Sequence, residues 1–483
     1  MEVDVVSPDK QPQADHLCVL VHGLWGNPHH LDYVASALRE RYSEDRLIIL
    51  AAKRNAGSFT YDGIELGGER VAYEIEETLE KLAARGYNIK KLSMVGYSLG
   101  GVVARYALGL LDSRGWLDKL EPVNFTTFVS PHVGVRTPLK GIHNHMWNVL
   151  GARTVSMSGR QLFMIDSFRD TGKPLLSVLA DPDSIFMRAL AKFKHRCVYS
   201  NIANDRATAY YTTAISKTEP YARNPESFNF NYIKGYEPVV IDPDMHLLPS
   251  EEEAEKEKNK ELSSVFKHTG QCVRILTKLP FWIFIWIFLA LGSILFLVNS
   301  VVQTLRSQQR IRLHETGKTG VVFGGYRVPL IVQDVRNAVE EVFENVNAAQ
   351  EPEYLSDDSN GETAGKGQLR KRHTSSSPSQ KTMSPADGST PLLEDSSMDE
   401  AEEETNSISA SSRQTSKEDS PLALTPAQFA IIDSLNAIGF RKYPVFIHND
   451  RHSHAAIIVR MPKKTFEEGK LVVKHWLDNE FKI

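Results

Sequence analysis

Residues 94–102 read MVGYSLGGV, and this stretch decides the fold class. Its pattern G-x-S-x-G follows an apolar run, Leu92–Val95, and precedes a helix-like stretch, Val102–Leu111. A strand that turns sharply into a helix at such a serine exposes the hydroxyl at the top of a sheet. The glycines allow the strand and the helix to approach closely, because they have no Cβ. We therefore interpret Ser98 as a nucleophile rather than as part of a plain glycine-rich turn.

A second apolar run lies nearer the N-terminus. Leu17–Val21 is followed by HGLWG at residues 22–26. In hydrolases with a G-x-S-x-G serine, the loop after such a strand supplies one backbone N–H donor to the reacting carbonyl oxygen, and the residue after the serine supplies the other. We expect these oxyanion donors at Leu99 and at Leu24, with Trp25 as the alternative to Leu24.

The composition is that of a globular protein of two or three domains. The chain has 483 residues, of which 41% are hydrophobic, enough for a sizeable core. Its net charge of −4 gives no reason to expect a nucleic-acid partner. The three cysteines lack metal-ligand spacing, so we expect no metal and no cofactor, and we assign Cys18 and Cys197 to the core. The polar N-terminus is not typical of a signal peptide, which favours a cytosolic catalytic region.

Short apolar runs alternate with helical patterns over about residues 16–240. One helical stripe, Val71, Ile75, Leu79 and Leu82, lies between the second and third runs. This alternation predicts parallel βαβ units and an α/β fold with a doubly wound sheet. The predicted strands are Leu17–Val21, Leu47–Ala51, Leu92–Val95, Phe125–Val129 and Cys197–Ile202.

The catalytic acid is expected beyond the carboxyl end of a parallel strand, where this kind of sheet presents its functional residues. Asp205 follows the run His195–Ile202 in the stretch ANDRAT. It could accept the second N–H of a catalytic histidine, or it could pair with Arg206 in a loop. Asp166 is the alternative acid, but the residues before it look helical.

The catalytic histidine must follow the acid, because the chain order of this fold is serine, acid, histidine. Tyr443–His448 is a strand-like run, and a short polar loop leads from it to the next apolar segment. His454 borders that segment, so we favour it over His452 in the middle of the loop. His448 and the early His22 are interpreted as structural.

Several motifs occur in the order found in one family. The chain resembles the eukaryotic putative serine esterase (lipase-like) family of α/β-hydrolases over about residues 15–240 and 425–480, and its layout is similar to that of fungal lipid-droplet phospholipases. The resemblance implies an α/β-hydrolase fold with nucleophile Ser98, acid Asp205 and histidine His454. The motifs are HGLWG at 22–26, GYSLGG at 96–101, VSPHVG at 129–134, SGRQLF at 158–163, AND at 203–205 and HAAII at 454–458.

The composition changes several times along the chain. A charged run lies near 251–261, and from about residue 351 the sequence is rich in Ser, Glu, Asp, Thr and Pro with almost no aromatic residues. Such a stretch cannot bury enough surface to fold, and its serines are candidate sites for kinases or protein partners. The expected parts are the first part of the hydrolase core at 1–245, a charged linker at 246–278, a hydrophobic anchor at 279–302, a helical or strand extension at 303–350, a disordered insertion at 351–422, and the last part of the core at 423–483.

Phe281–Val298 contains no charged residue. Each large apolar residue favours membrane insertion by about 0.3–0.6 kcal/mol, so lipid is favoured over a buried core helix. The segment lies between Asp205 and His454, and a single span would place the histidine across the bilayer from Ser98. We therefore expect 279–302 to be a one-sided anchor in a membrane or lipid-droplet monolayer. Positive charge on both flanks agrees with this: Lys267, Arg274 and Lys278 precede it, and Arg306, Arg310 and Arg312 follow it.

Two classes of function fit these observations. The first is a serine hydrolase of lipid acyl esters, a phospholipase or lipase on the cytosolic face of lipid droplets or the endoplasmic reticulum; a transacylase or thioesterase would use the same triad. The residues Met146–Leu150 and Leu162–Met164 could form an apolar cap for an acyl chain, or could be ordinary helix packing. The second class is a non-catalytic membrane adaptor that keeps the hydrolase fold.

Overall fold

The computed structural model describes residues 14–136, 156–221, 228–244, 248–249, 298–314 and 421–483. Most of the predicted linker, anchor and extension and nearly all of the predicted insertion lie outside these residues, as does Met146–Leu150. Among the residues described, no helix is both long enough and apolar enough to cross a membrane.

The core is a six-stranded parallel sheet with the order β2-β1-β3-β4-β5-β8. The fold class predicted from the alternating pattern is therefore confirmed, and β8 extends the sheet beyond the five strands of the first half. The two remaining strands form a small antiparallel pair. The strands are β1 (His16–Val21), β2 (Leu47–Ala51), β3 (Lys91–Tyr97), β4 (Glu121–Phe128), β5 (His195–Asn201), β6 (Phe228–Asn229), β7 (Leu248–Pro249) and β8 (Arg441–Val445).

Helices cover both faces of this sheet. In β1 the side chains of Leu17 and Val19 join the core on one face, and those of Cys18 and Leu20 join the core on the other, as the two-residue period of a strand requires. Both faces are buried, which explains why the run is wholly apolar. The helices are α1 (Asp32–Arg41), α2 (Ile64–Ala84), α3 (Leu99–Ser113), α4 (Trp116–Lys119), α5 (Ser156–Leu162), α6 (Leu175–Leu179), α7 (Ile185–Ala191), α8 (Tyr210–Thr213), α9 (residues 298–314), α10 (Pro426–Ala437), α11 (Ser453–Ala456) and α12 (Glu468–His475), with a π-helical turn at Trp476–Glu480 and 3₁₀ turns at Pro28–Leu31, Gly57–Tyr61, Arg169–Thr171 and Lys464–Phe466.

The last strand is shorter than its apolar run suggested. We expected strand structure over Tyr443–His448, but β8 ends at Val445. Beyond it, the Phe446 N–H donates to the carbonyl of Val239, so the chain turns away from its β5 neighbour while remaining hydrogen-bonded. Cys18 and Cys197 are buried free thiols, as expected for core residues. The parallel pairing of β8 with β5 brings the ends of both strands to one edge of the sheet.

Candidate active site

Ser98 lies at the turn between β3 and α3 with φ 53° and ψ −130°. This left-handed conformation is unfavourable for a residue with a side chain, and such strain is typical of functional positions. The turn is tight because a Cβ on Gly96 would overlap the backbone of Gly101, and one on Gly100 would overlap the carbonyl of Val21. The pattern G-x-S-x-G therefore describes a steric requirement of this turn, which points the serine out of the sheet.

The structure brings the serine, the predicted histidine and the predicted acid together. His454 Nε2 lies 3.0 Å from Ser98 Oγ. On the other side of the ring, His454 Nδ1 lies 3.1 Å from Asp205 Oδ1 and 3.0 Å from Asp205 Oδ2. The three residues follow β3, β5 and β8, so the sheet topology explains how positions 356 and 249 residues apart meet at one edge.

The acid is held by the loop that it begins. Its Oδ1 accepts the backbone N–H groups of Ala207 at 3.0 Å and Thr208 at 2.8 Å, and its Oδ2 accepts the Asn201 amide at 3.0 Å. Burial by itself raises the pKa of the Asp205 carboxyl. The charge and hydrogen bond of His454 have the opposite effect, and so do the hydrogen bonds from Thr208 and Asn201. Together they outweigh burial and keep the pKa of Asp205 below its usual value. Asp205 is therefore ionised at neutral pH.

The histidine is fixed from several sides. Its side chain is almost fully buried. The Tyr97 ring lies 5.3 Å from the imidazole, and the Tyr97 hydroxyl donates to the backbone carbonyl of His454 at 3.1 Å. Thr208 Oγ1 lies 3.3 Å from Nδ1. Since an acceptor faces Nδ1, the proton of a neutral ring belongs there, and Nε2 is left to accept the serine proton.

The two predicted oxyanion donors lie at the same place. Leu24 and Leu99 both line the pocket above Ser98. The loop carrying Leu24 runs so close that a Cβ on Gly23 would be 2.7 Å from the Ser98 Cβ. The Trp25 N–H, the alternative donor, is bonded to Thr60 Oγ1 at 3.1 Å. Leu24 is therefore the candidate oxyanion donor on this loop. Leu99 is the first residue of α3, so its N–H lies at the positive end of the helix dipole.

The alternative acid and histidines have other partners. Asp166 Oδ2 accepts the N–H of Leu175, at the start of α6. His452 is the residue that precedes α11, and its backbone N–H donates to Asp450 Oδ1. His448 Nε2 lies 2.9 Å from the carbonyl of Pro238. His22 is buried, with Nδ1 3.0 Å from the carbonyl of Gly23.

A small apolar pocket lies above the serine. Its volume is about 60 Å³, well below the roughly 300–1,000 Å³ of a usual ligand site. Leu162 and Phe163 of the predicted cap line it, so this space fits a reacting ester group but not a whole acyl chain. Among the described residues around it, Arg460 is the one with a permanent charge. The lining residues are Leu24, Trp25, Tyr97, Ser98, Leu99, Pro131, Val135, Gly159, Leu162, Phe163, Ala207, Thr208, His454 and Arg460.

Sequence reasoning missed three contributors to this site. Asn201 and Thr208 support the acid, and Arg460 borders the pocket. Asn201 and Thr208 lie within four residues of Asp205, so the short loop itself could have indicated them. Nothing in the sequence indicated Arg460 in this way. It reaches the pocket because the chain turns after His454, and in this turn the backbone N–H of Arg460 donates to the carbonyl of Ala455.

Part of the chain is similar to a known family. Residues 11–218, fewer than half of the chain, match the family described as "Putative serine esterase (DUF676)". The matched stretch contains Ser98 and Asp205, whereas His454 lies beyond it.

Curated relatives include fungal proteins. The chain is 28% identical over 222 residues to "Putative lipase ROG1" of Saccharomyces cerevisiae, which is 44% of this chain and 30% of the relative. It is also 28% identical over 219 residues to "Putative lipase YDL109C" of the same yeast, which is 44% of this chain and 32% of the relative. The chain thus spans about a third of the length of these relatives.

Solved structures similar to this chain include hydrolases. The thioesterase RedJ of Streptomyces coelicolor is 18% identical, with a TM-score of 0.22 over 44% of this chain and 76% of that one. A cutinase of Trichoderma reesei in complex with a phosphonate inhibitor is 23% identical, with a TM-score of 0.19 over 26% of this chain and 55% of that one. At such TM-scores these likenesses carry no argument about function.

Proposed function

We propose that this protein is a serine hydrolase that cleaves acyl esters of glycerophospholipids. The observation that carries the proposal is the chain of short contacts from Ser98 through His454 to Asp205 at the base of an apolar pocket. The match of residues 11–218 to a family described as putative serine esterases supports the general class of hydrolase. The phospholipid substrate is our inference from the pocket and from the sequence beside it.

The geometry suits a double-displacement reaction. Ser98 Oγ attacks the ester carbonyl carbon while His454 Nε2 takes the hydroxyl proton, and Asp205 stabilises the imidazolium that results. The negative charge on the carbonyl oxygen is held by the N–H groups of Leu24 and Leu99. As the carbon–oxygen bond of the ester breaks, His454 gives its proton to the leaving alkoxide. Water then attacks the acyl-serine through the same steps, releases the fatty acid and restores Ser98.

The charge distribution of the pocket supports a phosphorylated substrate. The walls are apolar, which suits the acyl part of an ester, and Arg460 lines the same pocket as His454. A guanidinium binds phosphate oxygens in a two-point geometry that a neutral glyceride cannot use. We therefore infer that Arg460 binds a phosphate attached to the glycerol next to the ester.

The proposed contact with a lipid surface rests on the predicted anchor, 279–302. The 3.0 Å contact of Ser98 with His454 requires both residues on one side of a membrane, and the uncharged run 281–298 lies between Asp205 and His454 in the sequence. A segment that enters one leaflet and returns satisfies both conditions. We therefore propose that the enzyme works on the cytosolic surface of a membrane or a lipid-droplet monolayer.

The test uses the full chain, a soluble short-chain ester and phosphatidylcholine vesicles. Ser98→Ala is expected to abolish release of fatty acid from both, and a fluorophosphonate probe should label the wild type but not this variant. Ser113→Ala, at an exposed serine on α3, is the control and should match the wild type. Equal hydrolysis by Ser98→Ala would refute the nucleophile. A wild type that neither reacts with the probe nor hydrolyses esters would instead be an adaptor.

A further inference from the structure

Helix α9 is amphipathic in the opposite sense to a helix on a soluble protein. Four apolar side chains at helical spacing are exposed, and Val301 and Leu305 show 58% and 61% of their surface. The opposite face is buried and polar, with Ser300 and Ser307 almost inaccessible and Arg310 turned towards the core. Surface helices in water normally bury the apolar stripe and expose the polar one. The exposed apolar positions in the first half of the helix are Val298, Val301, Val302 and Leu305, which we call the α9 stripe.

The sequence on either side of the α9 stripe indicates what covers it. The stripe continues the uncharged run 281–298 without a charged residue between them. From Arg306 onwards the exposed positions are mainly polar or basic, namely Arg306, Gln308, Gln309 and Arg312, and Leu313 is the exposed apolar residue among them. An apolar surface that changes to mainly polar and basic residues along one helix matches the passage from acyl chains to the phosphates of lipid headgroups. Lipid therefore explains the α9 stripe better than a protein partner does.

The buried face of α9 is joined to the hydrolase core by a charged cluster. The carboxylate of Asp62, fully buried, receives Arg310 Nε at 2.8 Å and Arg310 Nη2 at 2.6 Å. The same carboxylate receives Arg70 Nη2 from α2 at 2.5 Å. The two guanidinium groups lie on the ring of Phe59, at 4.8 and 5.1 Å from its centre. This shared, two-point ion pair is directional, so it fixes the orientation of α9 and not only its position.

The segment that holds Arg310 also supports two walls of the active-site pocket. In the turn Gly57–Tyr61, Thr60 Oγ1 accepts the N–H of Trp25, and the Thr60 carbonyl accepts the Ser158 hydroxyl from α5. Ser307 of α9 donates to the carbonyl of Tyr61. Trp25 and Gly159, the residue after Ser158, both line the pocket. A few hydrogen bonds thus connect α9 to residues that line the pocket above Ser98.

We propose that α9 is a lipid-facing docking helix and that the Arg310–Asp62 ion pair fixes the pocket of Ser98 relative to the lipid surface. This inference rests on the proposed function for its substrate, but the lipid contact of α9 does not depend on catalysis. Arg310 is a positioning residue, because it acts on the site through Asp62 and the turn Gly57–Tyr61.

The first experiment tests the lipid contact of α9. In the full chain, Val301→Asp with Leu305→Asp places two charges in the α9 stripe, and Ser36→Asp with Asn436→Asp places two charges on exposed polar positions of α1 and α10. We expect the first pair to lower flotation with phosphatidylcholine vesicles, and the ratio of vesicle to soluble-ester hydrolysis, by about tenfold. The control pair should stay within about twofold of the wild type. Equal values for the two pairs, in proteins with the same unfolding temperature, would overturn the proposal.

The second experiment tests the coupling through Arg310. Arg310→Gln leaves the α9 stripe intact, and Asp62 keeps Arg70 as its partner. We expect vesicle flotation to remain while the ratio of vesicle to soluble-ester hydrolysis falls about fivefold, because the pocket is no longer held in register with the surface. An unchanged ratio would refute the coupling. Because flotation is measured without turnover, loss of all ester hydrolysis in the wild type would reject the proposed function and still leave the lipid contact decided.

Discussion

Replacing Asp205 by asparagine should remove most of the activity while leaving the fold intact. The backbone N–H groups of Ala207 and Thr208 both donate to Oδ1, so the asparagine oxygen must occupy that position. Its NH₂ group then lies at the place of Oδ2, which is 3.0 Å from His454 Nδ1. Donation from this NH₂ group to Nδ1 stabilises the tautomer that carries its proton on Nε2. In that tautomer His454 cannot accept the proton of Ser98.

The magnitude follows from what is lost. The serine, the oxyanion donors and the pocket remain, while the general base is in the wrong tautomer. A substitution of this kind lowers kcat by about 10⁴-fold, which corresponds to about 5.4 kcal/mol of transition-state stabilisation. KM for a soluble ester should change little, because Asp205 lies behind the histidine and does not line the pocket.

The assay is steady-state hydrolysis of a soluble ester, with the unfolding temperature measured in parallel. Asp166→Asn is the matched control. Its carboxyl caps the N–H of Leu175, and burial raises its pKa, so a neutral amide is a mild replacement there. If Asp205→Asn retained a tenth or more of the wild-type kcat, or if Asp166→Asn fell as far, our assignment of the acid would be wrong.

Three further predictions concern packing, specificity and pH. Gly100→Ala should lower the free energy of unfolding, measured with denaturant, by at least about 1–3 kcal/mol. The reason is that the new Cβ would meet the backbone carbonyl of Val21, which cannot move aside as a flexible side chain could. Arg460→Gln should lower kcat/KM about tenfold for phosphatidylcholine and little for a neutral diacylglycerol; equal losses would remove the proposed phosphate contact. Burial lowers the pKa of His16 to about 4. Between pH 6.5 and about pH 4 this histidine is therefore protonated in the unfolded chain but not in the folded chain, so the free energy of unfolding falls as the pH falls through this range. His16→Gln should flatten this fall in the unfolding temperature, and an unchanged slope would contradict it.

Local sequence patterns were sufficient for those parts of the site that depend on local geometry. The turn at Ser98 is indicated by glycines within three positions of it. Asp205 was predicted because it lies just beyond the carboxyl end of a predicted parallel strand. His454 required one more rule, the chain order of the triad. Each of these predictions used features that lie close together in the sequence.

The contacts that the sequence could not indicate join distant residues. The choice between Leu24 and Trp25 depends on Thr60, which takes the Trp25 N–H across 35 positions. The pairing of Asp62 with Arg310 spans 248 positions, and nothing in the charge pattern distinguishes Arg310 from Arg306 or Arg312. The end of β8 at Val445 likewise depends on a tertiary hydrogen bond. In each case many partners are chemically equivalent, and only the fold selects one.

The long connection between Asp205 and His454 costs less conformational entropy to close than its length suggests. For an unconstrained connection, closure entropy grows by about 0.6 kcal/mol for each doubling of length. Going from a connection of about 30 residues to the 249 positions between Asp205 and His454 is about three doublings, or about 1.8 kcal/mol. Docking of α9 through Arg310 divides that connection into two shorter ones. Once the ion pair has docked α9, the connection left from Arg310 to His454 is a little over half as long, so bringing β8 and His454 back to the sheet costs about 0.5 kcal/mol less at that step.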